Sequence, residues 1–434
     1  MPATKNRVPL IKETNVLPFL LFRIFFNARF YYPVFALLFI DYGLSLSQFS
    51  ISNLAWAAAI VCLEVPSGAL ADVLGRKKLV VLASLLMIGE MGVLLWVKPE
   101  PGPTLLIAFG LNRLLSGAAE AMASGADEAL AYDTLKEKGR EDEWPQVLEW
   151  QTRYSSITFF LVMLLGAAVY DPEFLSRSSS FLGAPRTFSK MDTLKLPILL
   201  TMLSGLVALL AALTLKPSES ENQRAHLDTR ENPFSKITKV ASRLLQRKTL
   251  LTVILSAVLF DQMARVSMTM TSQTLLAFGF KEASFGVIGA CFALMGAIVS
   301  KPARHLAETR SKSFVFWLLA TISIVALVGQ ASSSGLVGLL FLACLSAVMS
   351  SIAFFSSFYL NKMADSDERA TLLSYKGLLC NIGFGVASLY YACVSSQIPT
   401  ETAQQYLRSL YGLAAYFLVA LILFLLSRTS SSDS

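Results

Sequence analysis

The sequence predicts an all-α membrane protein: twelve transmembrane helices in two pseudo-symmetric six-helix bundles. Composition is the first observation behind this, with 54% hydrophobic against 15% charged residues over 434 positions and a mean hydropathy of +0.56, a balance that suits a polytopic membrane chain. The second is spacing: apolar runs of roughly 20 residues, enough to cross the hydrocarbon layer, recur twelve times. The third is an internal repeat. Sliding the first half by 236 positions lays Gly43 on Gly279, Phe49 on Phe285, Pro66 on Pro302, Leu70 on Leu306, Ala71 on Ala307, Asp72 on Glu308 and Arg76 on Lys312, without a gap.

The spans fall near 16–41, 48–70, 78–97, 104–128, 152–170, 194–215, 249–275, 283–302, 313–330, 335–358, 371–393 and 406–427. The first run is long and lacks a small-residue cleavage site, so it is expected to stay as a helix rather than leave as a signal peptide. Basic residues collect in the connections between even and odd spans: Arg76, Lys77 and Lys78; Lys136, Lys138 and Arg140; Arg304, Arg310 and Lys312; Lys362 and Arg369. With Lys5, Arg7, Lys12 and Arg428 they place both termini in the cytoplasm of an integral multi-pass protein of the cell (inner) membrane. Three parts result: residues 1–215 as the N-terminal bundle, 216–248 as a charged cytoplasmic linker, and 249–434 as the C-terminal bundle. Within the linker Phe234, Ile237, Val240 and Leu244 share one helical face, as in a helix lying on the membrane surface; a solvated linker fits equally.

Several function classes are excluded. The net charge of +7 sits in short loops between apolar runs, where it orients the chain, and indicates no nucleic-acid partner. The five cysteines lie in apolar segments at no metal-ligand spacing, and His226 and His305 are the only histidines, so no metal site, disulfide framework or cofactor is expected. No nucleophile and base lie together in the membrane, which argues against an enzyme. No Walker loop is present, so the energy source is an ion gradient or a counter-substrate rather than ATP.

The most informative stretch is Glu64 to Lys78, a polar hinge between the second and third spans. Its pattern Gly68-x-Leu70-Ala71-Asp72-x-x-Gly75-Arg76-Lys77-Lys78 resembles the loop between helices 2 and 3 of the major facilitator superfamily (MFS). Arg113, followed by Gly117 and small residues, resembles that family's second motif, on helix 4, and Tyr132-Asp133 resembles the acidic site set against the hinge arginine. The resemblance implies the MFS fold, alternating access by rocking of the two bundles, a monomer, and a cytoplasmic clasp made by Asp72, Arg76 and Asp133, with Asp127 as a rival acid. Helix 5 departs from the drug–proton exporters of the family: around Gly166 it lacks their glycine–proline signature.

Ionisable groups inside a span cost roughly 2.5–3.5 kcal/mol on insertion scales, so each is a candidate functional residue. In the first span Arg23, Asn27 and Arg29 interrupt the apolar run, and Arg29 lands on Arg265 under the 236-residue shift. The family's organic phosphate and carboxylate exchangers have a similar arginine pair facing their cavity, which makes Arg29, Asn27, Arg265 and Asp261 substrate-binding candidates. The structural alternative is that Asp261, one turn before Arg265, simply neutralises it. Gly110, Arg113, Gly117, Glu120, Ser124 and Asp127 form one polar stripe along span 4. Glu64, Glu90, Arg113 and Glu120 are the proton-coupling candidates; Glu64 and Glu90 read equally as buried partners of arginines. The expected function is secondary active transport of a small organic solute, anionic or amphipathic, coupled to protons, with export favoured. A multidrug exporter is the alternative within transport, and a membrane-embedded enzyme or transporter-like sensor the alternative outside it.

Overall fold

The computed structural model describes residues 9–217, 247–363, 369–398 and 402–429; the proposed surface helix of the linker lies outside them. Among the described residues all regular structure is helical. In the first half these are α1 (Val16–Phe26), α2 (Phe35–Asp41), α3 (Leu46–Leu74), α4 (Arg76–Trp96), α5 (Pro103–Ala123), α6 (Ala126–Glu137), α7 (Trp144–Tyr170), α8 (Pro172–Phe181), α9 (Lys190–Thr193) and α10 (Leu196–Thr214). The second half contains α11 (Lys248–Thr269), α12 (Thr271–Ala277), α13 (Glu282–Ala293), α14 (Met295–Thr309), α15 (Lys312–Ser332), α16 (Gly335–Met363), α17 (Arg369–Gln397), α18 (Ala403–Ser409) and α19 (Tyr411–Thr429). Among the described residues, eleven helical segments are long and apolar enough to cross a membrane. The twelfth crossing is made by α1 and α2 together.

That first crossing is the clearest departure from the expected continuous helix over 16–41. It stops at Phe26, runs irregularly through Asn27–Tyr31, and resumes through a short 3-10 turn at Tyr32–Val34. Pro33, buried in this turn, has no N–H to give a preceding carbonyl. The Asn27 side chain turns back to donate to the Arg23 carbonyl (2.8 Å). The Phe30 N–H leaves the helical pattern and donates to the Thr201 hydroxyl on α10 (2.9 Å), so the neighbouring helix satisfies backbone that would otherwise be stranded in the membrane. Span 4 also breaks, at Ser124–Gly125, where Gly125 has φ +72°; Asp127 therefore belongs to α6 and leaves the stripe predicted for one straight helix.

The repeat is visible in the backbone. Gly43 and Gly279, superposed by the 236-residue shift, both have left-handed φ (+115° and +87°), a conformation that costs glycine little. Pro66 and Pro302 both lie inside their helices, α3 and α14. The halves repeat the break only in part: α12 superposes on α2 after an interruption at Met270, but the second-half counterpart of Asn27–Tyr31 is regular helix within α11.

The halves meet along two seams, α3 against α17 and α7 against α13. Small residues permit the approach. A Cβ on Gly286 would lie 2.3 Å from the Met163 carbonyl oxygen, so only glycine fits there. Bonds crossing the halves sit toward the end remote from the chain termini: Leu37 N–H to Ser272 Oγ (3.0 Å), Ser47 Oγ to the Ala392 carbonyl (2.8 Å), Ala283 N–H to Asp171 Oδ2 (3.0 Å), and the pairs Lys190–Glu282 (2.5 Å) and Lys281–Glu173 (2.9 Å).

Candidate translocation site

Between the halves, on the terminal side of the seam, lies a cavity of about 330 Å³ whose walls include Arg23, Trp56, Glu64, Glu120, Ser124 and Asn381. Arg23 comes from α1, Trp56 and Glu64 from α3, Glu120 from α5, and Asn381 from α17. Asn381 is the second half's contribution, and it accepts a hydrogen bond from Arg265 Nη1 (2.8 Å). One Glu64 carboxylate oxygen is buried without a hydrogen-bond partner, and Glu120 is exposed to the cavity. Gly117, one turn before Glu120, packs so tightly on α3 that a Cβ would lie 2.6 Å from the Trp56 carbonyl oxygen. That contact fixes the stripe of α5 against the wall that carries Trp56 and Glu64.

The predicted arginine pair is not brought together in the cavity. Arg29 is 2% exposed, and its guanidinium is bonded to Glu90 of α4, with Tyr31 Oη at 3.4 Å. Glu90 is fully buried and is thus the partner of an arginine rather than a cavity carboxylate. Arg29 lies in the irregular stretch between α1 and α2, where its guanidinium reaches Glu90 of α4 instead of the cavity. Arg23 takes the cavity position, steadied by Asp127 (3.4 Å) and Glu128 (3.8 Å). Asn27 lines a different space, between α1, α7 and α13. Arg265 pairs with Asp261 at 2.6 Å, the structural alternative read from their spacing, and also stacks 5.5 Å from the Phe384 ring.

Arg113 does not line the cavity. It is 6% exposed, with its guanidinium carbon 5.1 Å from the Phe35 ring centre and 5.5 Å from that of Trp56. At the hinge, Gly75 separates α3 from α4 with φ +90°, and Arg76 Nη1 lies 2.6 Å from Asp133 Oδ2. Gly68 and the Asp72 side chain lie outside the described residues. Asp127, the rival acid, is occupied with Arg23 instead.

Sequence reasoning missed the groups at the remote end. Lys190 Nζ lies 2.5 Å from Glu282, 3.3 Å from Asp41 and 3.6 Å from the centre of the Tyr170 ring; Tyr170 in turn donates to Asp41 (2.6 Å). The one available signal was the unusual length of the 171–193 connection. A further cavity, about 400 Å³, lies wholly within the second half among α11, α15 and α16, with Lys248 and Lys312 among its lining residues. It does not touch the seam, so rocking of the halves would not open or close it.

Two helical halves around a polar cavity inside the membrane define a membrane transporter. The profile of the Major Facilitator Superfamily matches residues 19–388, and the chain belongs to that family. Solved structures with the same fold include a bacterial homologue of the human lysosomal transporter Spinster in an inward-facing, unoccupied conformation (16% identity, TM-score 0.71, covering 96% of this chain and 97% of that one). The nucleoside transporter NupG (16%, 0.67, 96% and 98%) and a D-xylose–proton symporter (13%, 0.64, 94% and 95%) share it as well. At these identities the likeness is one of fold. Comparison with curated protein sequences gives no match.

Proposed function

We propose that the chain is a secondary active transporter that carries a small organic solute, anionic or amphipathic, through the cavity between its halves, coupled to protons at Glu64 and Glu120. The observation that carries this reading is the cavity wall itself, where a guanidinium (Arg23) and two carboxylates face one space whose two sides belong to different halves. A charged group in a membrane interior is retained where it meets water, a partner or a cargo. Glu64, with one oxygen unpartnered, and Glu120, open to the cavity, are the carboxylates this space presents. Rocking about the two glycine-rich seams would then expose the site alternately. The bonds across the remote end support an arrangement with that end shut and access from the terminal side, which the distribution of basic residues makes cytoplasmic.

The test is reconstitution in liposomes with an imposed pH gradient and a panel of labelled organic anions, amphipathic drugs, nucleosides and sugars. A gradient-driven flux of at least one organic anion or amphipath is expected. Glu64→Gln and Glu120→Gln should remove the response to the gradient while leaving solute exchange. Flux that ignores the gradient in the parent protein would rule out proton coupling.

A further inference from the structure

Four arginines lie within the membrane spans of the first crossing, α5 and α11, and three have carboxylate partners: Arg23 with Asp127, Arg29 with Glu90, and Arg265 with Asp261. Arg113 is the exception. Among the described residues it makes no ion pair, and its Nε is buried without an acceptor. Two aromatic rings, Phe35 and Trp56, are its close companions. A cation held by rings recovers less than burying an ion costs. The one carboxylate whose charge reaches it, Glu90, is already bonded to Arg29, so two guanidiniums share one carboxylate and the cluster keeps one positive charge in excess.

Its position gives that charge a use. Trp56 is at once a ring against Arg113 and a wall of the cavity, so the guanidinium stands one aromatic ring away from the solute's space. Trp56 also meets Phe384 of the other half edge-on, at 5.9 Å, and Phe384 carries Arg265 on its face. The ring that covers Arg113 thus sits on the α3–α17 seam, which must shift when the halves rock.

We infer that Arg113 is the docking point for the carboxylate of the cargo, and that the cargo is an organic monocarboxylate with a flat apolar body. Rotation of the Trp56 ring away from the guanidinium admits the carboxylate to its donors. This rests on the transporter reading above and names the substrate class for it. A guanidinium presents paired N–H donors that match the two oxygens of a carboxylate. The rings of Phe35 and Trp56, which flank the guanidinium, offer surfaces for a flat body. One unpaired cation balances one negative charge; the cavity's own guanidinium, Arg23, is already paired with Asp127, and a second negative charge would face Glu64 and Glu120, so dianions are disfavoured.

Benzoate is the probe, titrated into the purified full-length protein and followed by tryptophan fluorescence and by the shift in melting temperature, with benzamide as the neutral analogue and terephthalate as the dianion. Benzoate should bind, benzamide and terephthalate more weakly. Arg113→Gln should weaken benzoate by about tenfold or more, the loss expected for a hydrogen-bonded charge. Should Arg113→Gln fail to fold, Arg113→Lys keeps the charge and removes the fork, and the same weakening is expected. The inference is overturned if benzoate does not bind the parent protein, if benzamide or terephthalate binds as tightly, or if the variant that folds binds benzoate unchanged. Liposome flux of other solutes without benzoate binding would refute the carboxylate site and leave the transporter reading intact. Benzoate binding lost with Arg113, without flux of any solute, would do the reverse.

Discussion

Lys190 of the first half lies 2.5 Å from Glu282 of the second and 3.3 Å from Asp41, so one ammonium group holds two carboxylates together across the remote end of the bundle. All three side chains are half-buried, which strengthens the attraction relative to an exposed pair. Replacing the cation leaves the acids facing one another.

Lys190→Gln is therefore expected to loosen the remote end and favour the state open on that side. A single cysteine at Ser47, whose hydroxyl bonds to the Ala392 carbonyl across the seam, reports on it in a background without the native cysteines. Labelling by a membrane-impermeant maleimide should speed up when Lys190 is replaced. Unchanged labelling would show that packing alone closes this end.

The Arg29–Glu90 pair sets a second expectation. Removing one member of a buried pair strands the other, at a cost of about 3–5 kcal/mol. Arg29→Gln and Glu90→Gln should each lower the melting temperature sharply, whereas the double variant should cost much less than their sum. Cargo affinity should follow stability rather than charge. Additive losses would show that the two side chains act independently.

At the hinge, Arg76→Gln or Asp133→Asn should shift the balance between conformations and slow turnover, with cargo affinity retained, because the pair lies outside the cavity. The pair is four-fifths buried, and its loss should cost about 1 kcal/mol. Turnover equal to that of the parent protein would reduce the hinge to a topological anchor.

Glu13, just before α1, gives a pH dependence. Burial pushes its carboxyl upward, but bonds and charge from Lys138 and Arg140, each at 2.5 Å, outweigh this and hold it below the usual carboxylate range. A group lowered by folding stabilises the folded state above its unfolded pKa, and that contribution fades as pH falls through the folded value. Glu13→Gln should therefore cost about 1–2 kcal/mol at neutral pH, and progressively less on acidification below the ordinary carboxylate range. Melting curves across pH would check this; a gap between the two proteins that widens in acid would contradict the sign.

Much of this architecture is legible in the sequence, because the membrane imposes it locally. A span must be apolar over roughly 20 residues and must satisfy its own backbone, so the crossings and the tandem repeat can be read from hydropathy and spacing. Gly43, Gly279, Pro66 and Pro302 mark equivalent turns and bends because their backbones are special whatever surrounds them. The hinge motif is equally local. The family resemblance rests on these local features, and the profile match over residues 19–388 shows membership.

Which charge meets which was decided by the tertiary structure. Arg29 and Glu90 are 61 residues apart, and Lys190 and Glu282 are 92 apart; nothing in the spacing announces either pair. Nor does the first span run as the continuous helix its hydropathy suggests: the chain unwinds at Asn27–Tyr31, and Arg29 lies in that irregular stretch. The 236-residue repeat set Arg29 on Arg265 by position, yet one is buried against Glu90 and the other bonds to Asn381 at the cavity. A repeat preserves the path of the backbone. The environment of a charge depends instead on the neighbouring helices that reach it, and in the two halves those neighbours differ.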